Sequence, residues 1–394
     1  MISVAEALDR ALALVAPLPS ETVALQDAAG RVLAAPVMAR LRQPPFAASA
    51  MDGYAVAGDP MPGTVLAVIG AAAAGKRFDG AVSAGQAVRI FTGAPVPDGA
   101  TRVVLQEDVT ASDGTITLTR GAAGPSNIRA AGQDFDLGAA FAPRVLRPAD
   151  LALLAAMNHA RLPVTRRPVV AIMATGDELV MPGADPGPDQ IISSNGFALK
   201  AMVEAAGGAV RLMPIAADTE ASLRTVFGLT TGADLIVTIG GASVGDHDLV
   251  GRVAESLGMT RAFWKIAMRP GKPLMAGRLG SGTPLLGLPG NPVSAIVCGH
   301  LFLLPMIRRM LGMAEVSPAT YKARLAADLA GGGPRAHYLR ARLSRTPDGS
   351  ASIAPMADQD SALLSVLTAA DALLIQPADA PPMPAGTLVD YLPI

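Results

Sequence analysis

The sequence predicts a multi-domain α/β plus β protein with a central doubly wound α/β domain, a β-rich N-terminal domain and a small C-terminal β-barrel domain. From residue 168 onward, strand-like apolar runs alternate with helical segments, which is typical of a largely parallel sheet covered on both faces. Before and after that region, short β-branched runs are separated by Gly, Pro and Asp-Gly turns, as in small β domains. The 394 residues exceed the usual size of a single core.

The elements follow in chain order. Apolar residues from Ala5 to Val15 recur at helical spacing and predict an opening amphipathic helix that stops at Pro17. Runs such as "TVLAVIG", "AVRIFTG" and "GTITLTR" predict strands, and "RPADLALLAAMNHA" predicts a helix. The expected domains are 1–25 with 138–168 (helical and extended), 26–137 (inserted, β-rich), 169–313 (α/β) and 314–394 (β-barrel).

In the central region the runs "VVAIMA", "AVRLMPIA", "ADLIVTIGG", "FWKIAM" and "PLLGL" predict strands, with helices between them and a last helix from "NPVSAIVCGHLFLLPMIRRMLG". The polar clusters "ATGDEL", "AADT", "IGGASVGDHD" and "GLPGNP" each follow a strand end. In parallel sheets ligands bind outside the carboxyl ends of the strands, near the topological switch point. The four clusters therefore predict one ligand cleft.

Composition limits the classes of partner. The formal net charge is −1 and the chain has only 9 Phe, 4 Tyr and 1 Trp, so neither nucleic acid nor a membrane surface is expected to bind. The single cysteine, Cys298, cannot form an internal disulfide, which fits a reducing compartment. The N-terminus shows no signal-peptide pattern, and the longest apolar segment, 293–307, is too short to span a bilayer. A cytoplasmic location is expected.

The stretch "TIGGASVGDHD" combines features of a phosphate loop with acidic residues. Gly240 and Gly241 let the backbone approach a ligand, and Ser243 adds a hydroxyl. Asp246 is equally well explained as a helix N-cap or as a ligand. Asp248 is less easily explained as a cap. In "ATGDEL", Asp177 and Glu178 follow another strand, and paired acids on adjacent loops favour a hard cation such as magnesium.

Basic residues concentrate in "WKIAMRPGKPLMAG", where Lys265, Arg269 and Lys272 are expected to face an anion or, alternatively, solvent. In "GLPGNPVSA" a strand ends, the chain turns, and a helix begins at Pro292. The free N–H groups there, with the Ser294 hydroxyl, predict an oxyanion site. The four histidines show no HxxxH spacing, so a zinc site is not expected.

Seven ordered motifs, "SAMDGYAV", "FTGAPVPDGA", "ATGDEL", "SSNGFAL", "GGASVGDHD", "RPGKP" and "GLPGNPVSA", together resemble the MoeA family of molybdopterin molybdenumtransferases over essentially the whole chain. The resemblance implies insertion of molybdate into adenylated molybdopterin, with AMP released and Mg²⁺ assisting. It also implies a homodimer with a four-part architecture, and molybdopterin adenylyltransferase and molybdoenzyme maturation proteins as partners.

The resemblance implies roles for individual residues. The catalytic set is Asp52, Thr92, Asp134, Glu178, Asp218, Lys265 and Lys272. The set that binds the pterin substrate or molybdate is Asn195, Gly240, Gly241, Ser243, Gly245, Arg269, Ser294, Arg335 and Ser361. The metal ligands are Asp177, Glu178, Asp246 and Asp248.

The chain departs from the family pattern at three places. Arg269 stands where the family usually has Lys, Gln133 stands where it often has Glu, and Asp360-Ser361-Ala362 replaces a Gly-Ser-Gly-like run. Two other functions stay open on the sequence: a molybdopterin adenylyltransferase-like enzyme, whose domain resembles 169–313, and a non-catalytic pterin-binding scaffold.

Overall fold

The computed structural model describes residues 1–121, 124–241, 249–345 and 349–394. The chain divides into two compact units. The first unit comprises 1–21, 30–34 and 164–394, and the second comprises 22–29 and 35–163. The four domain boundaries predicted from the sequence are finer than this division and stay a prediction.

The α-helices are α1 Val4–Leu12, α2 Pro148–Ala156, α3 Asn195–Ala205, α4 Glu220–Leu229, α5 Leu249–Ser256, α6 Pro292–Cys298, α7 Leu304–Met310 and α8 Leu364–Thr368. Up to residue 165 the strands are β1 Ser20–Ala24, β2 Val37–Met38, β3 Ala48–Ser49, β4 Gly53–Val56, β5 Val65–Ala72, β6 Gln86–Ile90, β7 Arg102–Leu105, β8 Val109–Ser112, β9 Thr115–Leu118, β10 Ile128–Arg129, β11 Ala140–Phe141 and β12 Arg161–Thr165.

The next strands are β13 Val169–Ala174, β14 Leu179–Val180, β15 Ile191–Ile192, β16 Ala209–Leu212, β17 Leu235–Ile239, β18 Thr260–Trp264, β19 Met268–Arg269, β20 Met275–Arg278 and β21 Pro284–Leu288. The last strands are β22 Tyr321–Leu325, β23 Ala336–Arg345, β24 Ala351–Pro355, β25 Ala372–Gln376 and β26 Leu388–Pro393.

The first unit contains a six-stranded sheet in the order β16-β13-β17-β21-β20-β18. Its first four strands are parallel, and β20 runs antiparallel to both of its neighbours. After β13 the chain adds β16 on one side and β17 on the other, so the strand order reverses between β13 and β17. A doubly wound sheet binds ligands at such a switch point. The predicted doubly wound α/β domain is confirmed.

Local sequence explains where the helices of this domain begin. The Thr219 hydroxyl accepts a hydrogen bond from the Ser222 N–H at the start of α4, as an N-cap does. Pro292 occupies the first turn of α6, where a missing N–H leaves no hydrogen bond unmade. Residues 299–303 form a π-helical turn that joins α6 to α7. Both faces of the sheet are covered by apolar clusters, one containing Leu286 and the other Leu285.

The helical stretch Pro292–Met310 is longer than the apolar segment expected from the sequence. By length and composition it passes the test for a membrane span, but 72% of its most apolar window is buried inside the protein. Core helices of proteins outside membranes pass the same test. This helix packs among the residues of the larger core cluster.

The C-terminal part of the first unit is a closed barrel. Strands β23, β24, β22, β26 and β25 are neighbours in that order, and β25 also pairs with β23. Closure leaves the barrel without free edges. Strand β19 adds to it through a parallel pairing of Met268 and Arg269 with Ala336 and His337. The predicted small C-terminal barrel is therefore confirmed.

The second unit is built around a six-stranded sheet in the order β7-β4-β6-β5-β9-β8. Two apolar clusters cover it, one around Ile90 and the other around Ile116. Short pairs of strands, β10 with β3 and β11 with β2, complete the unit. This confirms that the N-terminal region is rich in β structure.

Candidate active site

A cavity of about 860 Å³ lies in the first unit, at the carboxyl ends of β13, β17 and β21. It is therefore at the switch point of the sheet. It is lined by Ala174, Thr175, Gly176, Glu178, Leu179, Ile191, Ile192, Ser193, Ser194, Asn195, Asp218, Ile239, Gly240, Gly241, Leu249, Arg252, Pro273, Pro289, Gly290, Asn291, Pro292, Ser294 and Ala362. The predicted ligand cleft at the strand ends is present.

Gly240 and Gly241 bring backbone to the wall of this cavity. Their φ angles are +88° and +65°, which other residues rarely adopt. A Cβ on Gly241 would lie 2.2 Å from Val250 Cγ2, and a Cβ on Gly240 would lie 2.9 Å from the Thr175 carbonyl oxygen. No larger residue fits at either position without a shift of the chain. The two glycines thus let the backbone at the cavity wall pack directly against Thr175 and Val250.

Two of the predicted acidic residues, Glu178 and Asp218, line the cavity. Asp177 acts on the loop instead, since its Oδ1 accepts a hydrogen bond from the Asp218 N–H at 3.0 Å. Carboxylates that line such a cavity are suitable donors for a hard divalent cation, with phosphate oxygens and water completing the shell. The donor chemistry of Glu178 and Asp218 thus fits the Mg²⁺ that the resemblance implies.

Four predicted site residues, Ser243, Gly245, Asp246 and Asp248, lie outside the described residues. Within the described ranges, no group of three or more His, Cys, Asp or Glu side chains is arranged to hold a metal ion. The predicted metal-ligand set is thus represented only by Asp177 and Glu178, and it stays a prediction.

The turn before α6 joins three segments. Asn195 Nδ2 donates to the Gly290 carbonyl oxygen at 2.7 Å, and Asn291 Nδ2 donates to Ser361 Oγ at 2.9 Å. The Ser361 carbonyl oxygen accepts from the Val293 N–H at 3.1 Å. Ser294 is buried, with 4% of its surface exposed, and lines the cavity. The helix N-terminus therefore stands at the cavity in a fixed position, as an oxyanion site requires.

The basic turn comprises residues 265–273. Its three basic residues, Lys265, Arg269 and Lys272, do not line the cavity. Its ends are held by hydrogen bonds from the Lys265 N–H to the Leu274 carbonyl oxygen and from the Ile266 N–H to the Lys272 carbonyl oxygen. Pro273 lines the cavity, whereas its neighbour Lys272 does not. Lys265 has a φ of +65°, and its Nζ lies 3.8 Å from the centre of the Trp264 ring, a cation–π contact.

Arg269, Arg335 and Ser361 also lie outside the cavity lining, although Ala362, the residue after Ser361, belongs to it. Arg269 is brought to the barrel by the pairing of β19 with β23 and lies opposite His337. Burial, together with the positive charges of Arg269, Arg340 and Arg335, lowers the pKa of His337 to about 4. The neutral imidazole therefore lies in a group of arginines.

The low pKa of His337 predicts a loss of stability in mild acid. Its unfolded pKa is about 6.5, so between pH 6.5 and 4 the unfolded chain binds more protons than the folded chain and stability falls as pH falls. We expect His337→Gln to remove about 1 kcal/mol of that fall. Urea unfolding at pH 7 and pH 4.5 measures it. Equal losses in wild type and variant would contradict the assignment, and His300 remains in both as a common background.

In the second unit, Asp52 and Thr92 form a hydrogen-bonded pair. Asp52 Oδ1 accepts from the Thr92 N–H and from Thr92 Oγ1, each at 2.7 Å. These bonds, with the charge of Arg89, lower the pKa of Asp52. Arg89 itself stacks on Tyr54 and Phe91, with its guanidinium carbon 5.0 and 4.9 Å from the two ring centres. The two motifs "MDGYAV" and "FTGAP" are thus brought together.

Asp134, the third predicted residue of the second unit, lies on a turn whose backbone is tied to Gln43. The Asp134 N–H donates to the Gln43 carbonyl oxygen at 2.9 Å. The roles of Asp52, Thr92 and Asp134 stay predictions.

Two polar cavity residues that were not singled out from the sequence are Arg252 of α5 and Thr175, which lies directly after β13. The Thr175 hydroxyl is buried and has no hydrogen-bond partner among the residues described. Thr175 belongs to the motif "ATGDEL", so the sequence contained a signal for it. Arg252 stands in an ordinary helical pattern and gave none.

Three family models match the chain. They are the MoeA N-terminal region (domain I and II) over residues 2–158, the probable molybdopterin binding domain over 171–309, and the MoeA C-terminal region (domain IV) over 322–394. The second of these contains the β13, β17 and β21 strand ends and most of the cavity lining.

Curated relatives and solved structures indicate the same family as the three family models. The chain is 34% identical over 385 residues to the molybdopterin molybdenumtransferase of Haemophilus influenzae, covering 96% of this chain and 95% of the relative. It is 35% identical to molybdopterin molybdenumtransferase 2 of Mycobacterium tuberculosis, covering 93% of each. A crystal structure of the molybdopterin biosynthesis moeA protein of Pyrococcus horikoshii superposes with a TM-score of 0.85 at 28% identity, covering 100% of this chain and 99% of that one. The chain therefore belongs to the MoeA family of molybdopterin molybdenumtransferases and is an enzyme of the transferase class.

Proposed function

We propose that the chain inserts molybdate into adenylated molybdopterin, releases AMP and so forms molybdenum cofactor in a Mg²⁺-dependent reaction. The observation that carries the proposal is the cavity at the switch point. Its volume is about 860 Å³, and two carboxylates and a helix N-terminus line it. The curated relatives, whose name is molybdopterin molybdenumtransferase, support the substrate class. These relatives place the chain in molybdenum cofactor biosynthesis.

The proposed reaction brings like charges together, because molybdate is a dianion and the second substrate contains a pyrophosphate. Gly240 and Gly241, whose backbone lines the cavity, would face the phosphate groups. Glu178 and Asp218 would hold Mg²⁺, which neutralises charge on the pyrophosphate. The carboxylates thus act on the substrate through a cation rather than directly.

Molybdate would be bound by hydrogen-bond donors and positively charged side chains. The N-terminus of α6 and the Ser294 hydroxyl are suitable donors. Further contacts to molybdate would come from Arg269, Lys272, Arg335 and Ser361. Lys265 would add positive charge near molybdate. Asn195 holds the turn before α6 through its hydrogen bond to the Gly290 carbonyl oxygen.

Catalysis by this arrangement is mainly positioning and charge stabilisation. A molybdate oxygen or a water molecule attacks the adenylate phosphorus, and the bond from that phosphorus to the bridging oxygen of the pyrophosphate breaks. The bridging oxygen stays on the molybdopterin phosphate, and AMP leaves with the attacking oxygen once its bond to molybdenum or to a proton has broken. No protein nucleophile is required. Cys298 is unsuitable as one, because complete burial raises the pKa of its thiol. Asp52, Thr92 and Asp134 would also contribute to catalysis.

The direct test is incubation of the protein with adenylated molybdopterin, molybdate and Mg²⁺, with AMP measured by chromatography. We expect AMP to appear only when all three are present and to stop when EDTA is added. Production of adenylated molybdopterin from ATP and molybdopterin would instead indicate an adenylyltransferase. Binding of the pterin without any turnover would indicate a scaffold.

Substitution of Lys272 tests the assignment of the basic turn. We expect Lys272→Ala to raise the molybdate concentration at half-saturation by about tenfold, because a charge-assisted contact to the oxyanion is lost. Affinity for the adenylated pterin is expected to change much less. The matched control is Lys322→Ala, which removes an exposed lysine paired with Asp390 in the barrel. Weakened pterin binding with unchanged molybdate saturation would move Lys272 to the nucleotide side.

The proposal includes a cytoplasmic homodimer. Substrate would come from a molybdopterin adenylyltransferase, and product would pass to molybdoenzyme maturation proteins. Light scattering on the purified chain should give twice the mass of one chain, and a monomeric mass would contradict the dimer.

A further inference from the structure

The cavity at the switch point has one basic side chain among the lining residues that the structure describes, Arg252 of α5. The other charged groups in that lining are the carboxylates of Glu178 and Asp218. Both substrates of the proposed reaction are anions, and a guanidinium binds a phosphate group through two parallel N–H donors. Arg252 is therefore a suitable phosphate ligand to which the proposed function gives no role.

Helix α5 directs Arg252 to the cavity. Leu249 and Arg252 both line the cavity and are three residues apart, so they lie on the same face of the helix. Val250 and Val253 are buried and belong to the apolar cluster that contains Leu285. This buried face holds α5 against the central sheet, whereas Arg252 is exposed. The fold thus places the arginine without using it in the core, and its replacement should leave the fold intact.

The cavity is reached from both faces of the central sheet. Helices α4 and α5 contribute to the apolar cluster on one face, and α3 and α6 contribute to the cluster on the other. Asp218, which directly precedes the start of α4, and Arg252 line the α4–α5 side of the cavity. Asn195 of α3 and Ser294 of α6 line the α3–α6 side. The basic side chain in the lining and the predicted oxyanion site therefore lie on different sides.

We propose that Arg252 binds the adenylate phosphate of the substrate, so that the α4–α5 side of the cavity is the nucleotide side. The inference rests on the proposed function, in which molybdate is bound beside Ser294. Molybdate has to reach the dithiolene sulfurs of the pterin, so the pterin half of the substrate lies on the α3–α6 side. The adenylate half then extends through the pyrophosphate to Arg252, on the side that also contains Asp218.

The binding test uses AMP and adenosine, which differ only in the phosphate. We expect Arg252→Met to raise the dissociation constant of AMP about tenfold, because a charge-assisted contact is lost, and to leave that of adenosine unchanged. Arg252→Lys should recover part of the loss, since it keeps the charge but not the planar fork. The matched control is Arg224→Met, which removes an exposed arginine of α4 that does not line the cavity. The control should bind AMP as the wild type does.

Titration calorimetry in the presence of Mg²⁺ measures these constants. Unchanged AMP affinity in Arg252→Met would overturn the proposal, and so would an equal loss of affinity for AMP and adenosine. A wild type that does not bind AMP would overturn it as well. The phosphate of molybdopterin itself is the alternative ligand. We expect Arg252→Met to bind molybdopterin with wild-type affinity, and a loss as large as that for AMP would place the arginine on the pterin side.

Turnover gives a second measurement. Arg252→Met should raise the half-saturating concentration of adenylated molybdopterin and leave that of molybdate unchanged, which is the reverse of the result expected for Lys272→Ala. The opposite pattern would refute the nucleotide assignment. If the wild type released no AMP from adenylated molybdopterin, the proposed function would fail, whereas the comparison of AMP with adenosine would still decide whether Arg252 binds the phosphate.

Discussion

Replacing Glu178 with Gln is expected to lower the rate of AMP release by about two orders of magnitude, because loss of a magnesium ligand has effects of this size. Glu178 lines the cavity from the loop between β13 and β14. Its carboxylate lies over Gly176, where an added Cβ would meet Glu178 Oε2 at 2.3 Å. Glycine at 176 therefore gives the carboxylate its space. The amide has nearly the same shape as the carboxylate but lacks its charge, so the substitution tests charge.

The Mg²⁺ dependence of the rate gives the sharper measurement. We expect Glu178→Gln to need a higher Mg²⁺ concentration for half-maximal AMP release, and Asp185→Asn to match the wild type. Asp185 is an exposed acid seven residues along the chain and does not line the cavity. A variant with wild-type rate and wild-type Mg²⁺ dependence would remove Glu178 from the metal site.

The central sheet could be predicted because its strands are short continuous apolar runs. Every residue of β17 and β21 is buried, and so are five of the six residues of β13, so the sequence needs no alternation to show them. Strand β20, Met275–Arg278, was missed. It follows "RPGKP", whose Gly and Pro indicate a turn, and its strand character comes from pairing with β18 and β21. Tertiary pairing of this kind is not readable from local propensity.

The cavity could be predicted in part for a related reason. Polar residues that follow parallel strands reach the same edge of the sheet, and among those predicted there the cavity is lined by Glu178, Asp218, Gly240, Gly241 and Ser294, but not by Asp177. Strand order places the loops that contain these residues at one edge of the sheet. The rule therefore works for residues on loops that the sheet itself places.

The basic residues were harder because turn geometry and burial decide where a long side chain points. Lys265 lies over Trp264 at a positive φ, which spacing does not reveal. In "HYLRARLSR", Arg340 and Arg342 are two residues apart and look equivalent, yet Arg340 is buried and Arg342 is exposed. The Arg340 guanidinium contacts the carbonyl oxygens of Asp358 and Asp360, a tertiary contact that spacing along the strand does not reveal.

Gly271→Ala should be among the most destabilising single substitutions in the first unit, with an expected loss of about 3 kcal/mol. Gly271 has a φ of +111°, and an added Cβ would lie 2.6 Å from Cys298 Sγ and 3.2 Å from Met268 Cε. Cys298 is fully buried in the larger core cluster, so the sulfur has little freedom to move. Strain and steric overlap thus add at one position, in the turn that presents Lys272.

The two causes can be separated by urea unfolding of the wild type and four variants. Gly282 has a φ of +87° and nothing within 4 Å of an added Cβ, so Gly282→Ala measures backbone strain alone, at about 1 kcal/mol. Cys298→Ala removes the sulfur that the new methyl group would strike. Gly271→Ala should therefore cost about 1 to 2 kcal/mol less in the Cys298→Ala background than in the wild type. If the cost is the same in both backgrounds, overlap with Cys298 is not the cause, and the strained backbone of the turn accounts for the loss.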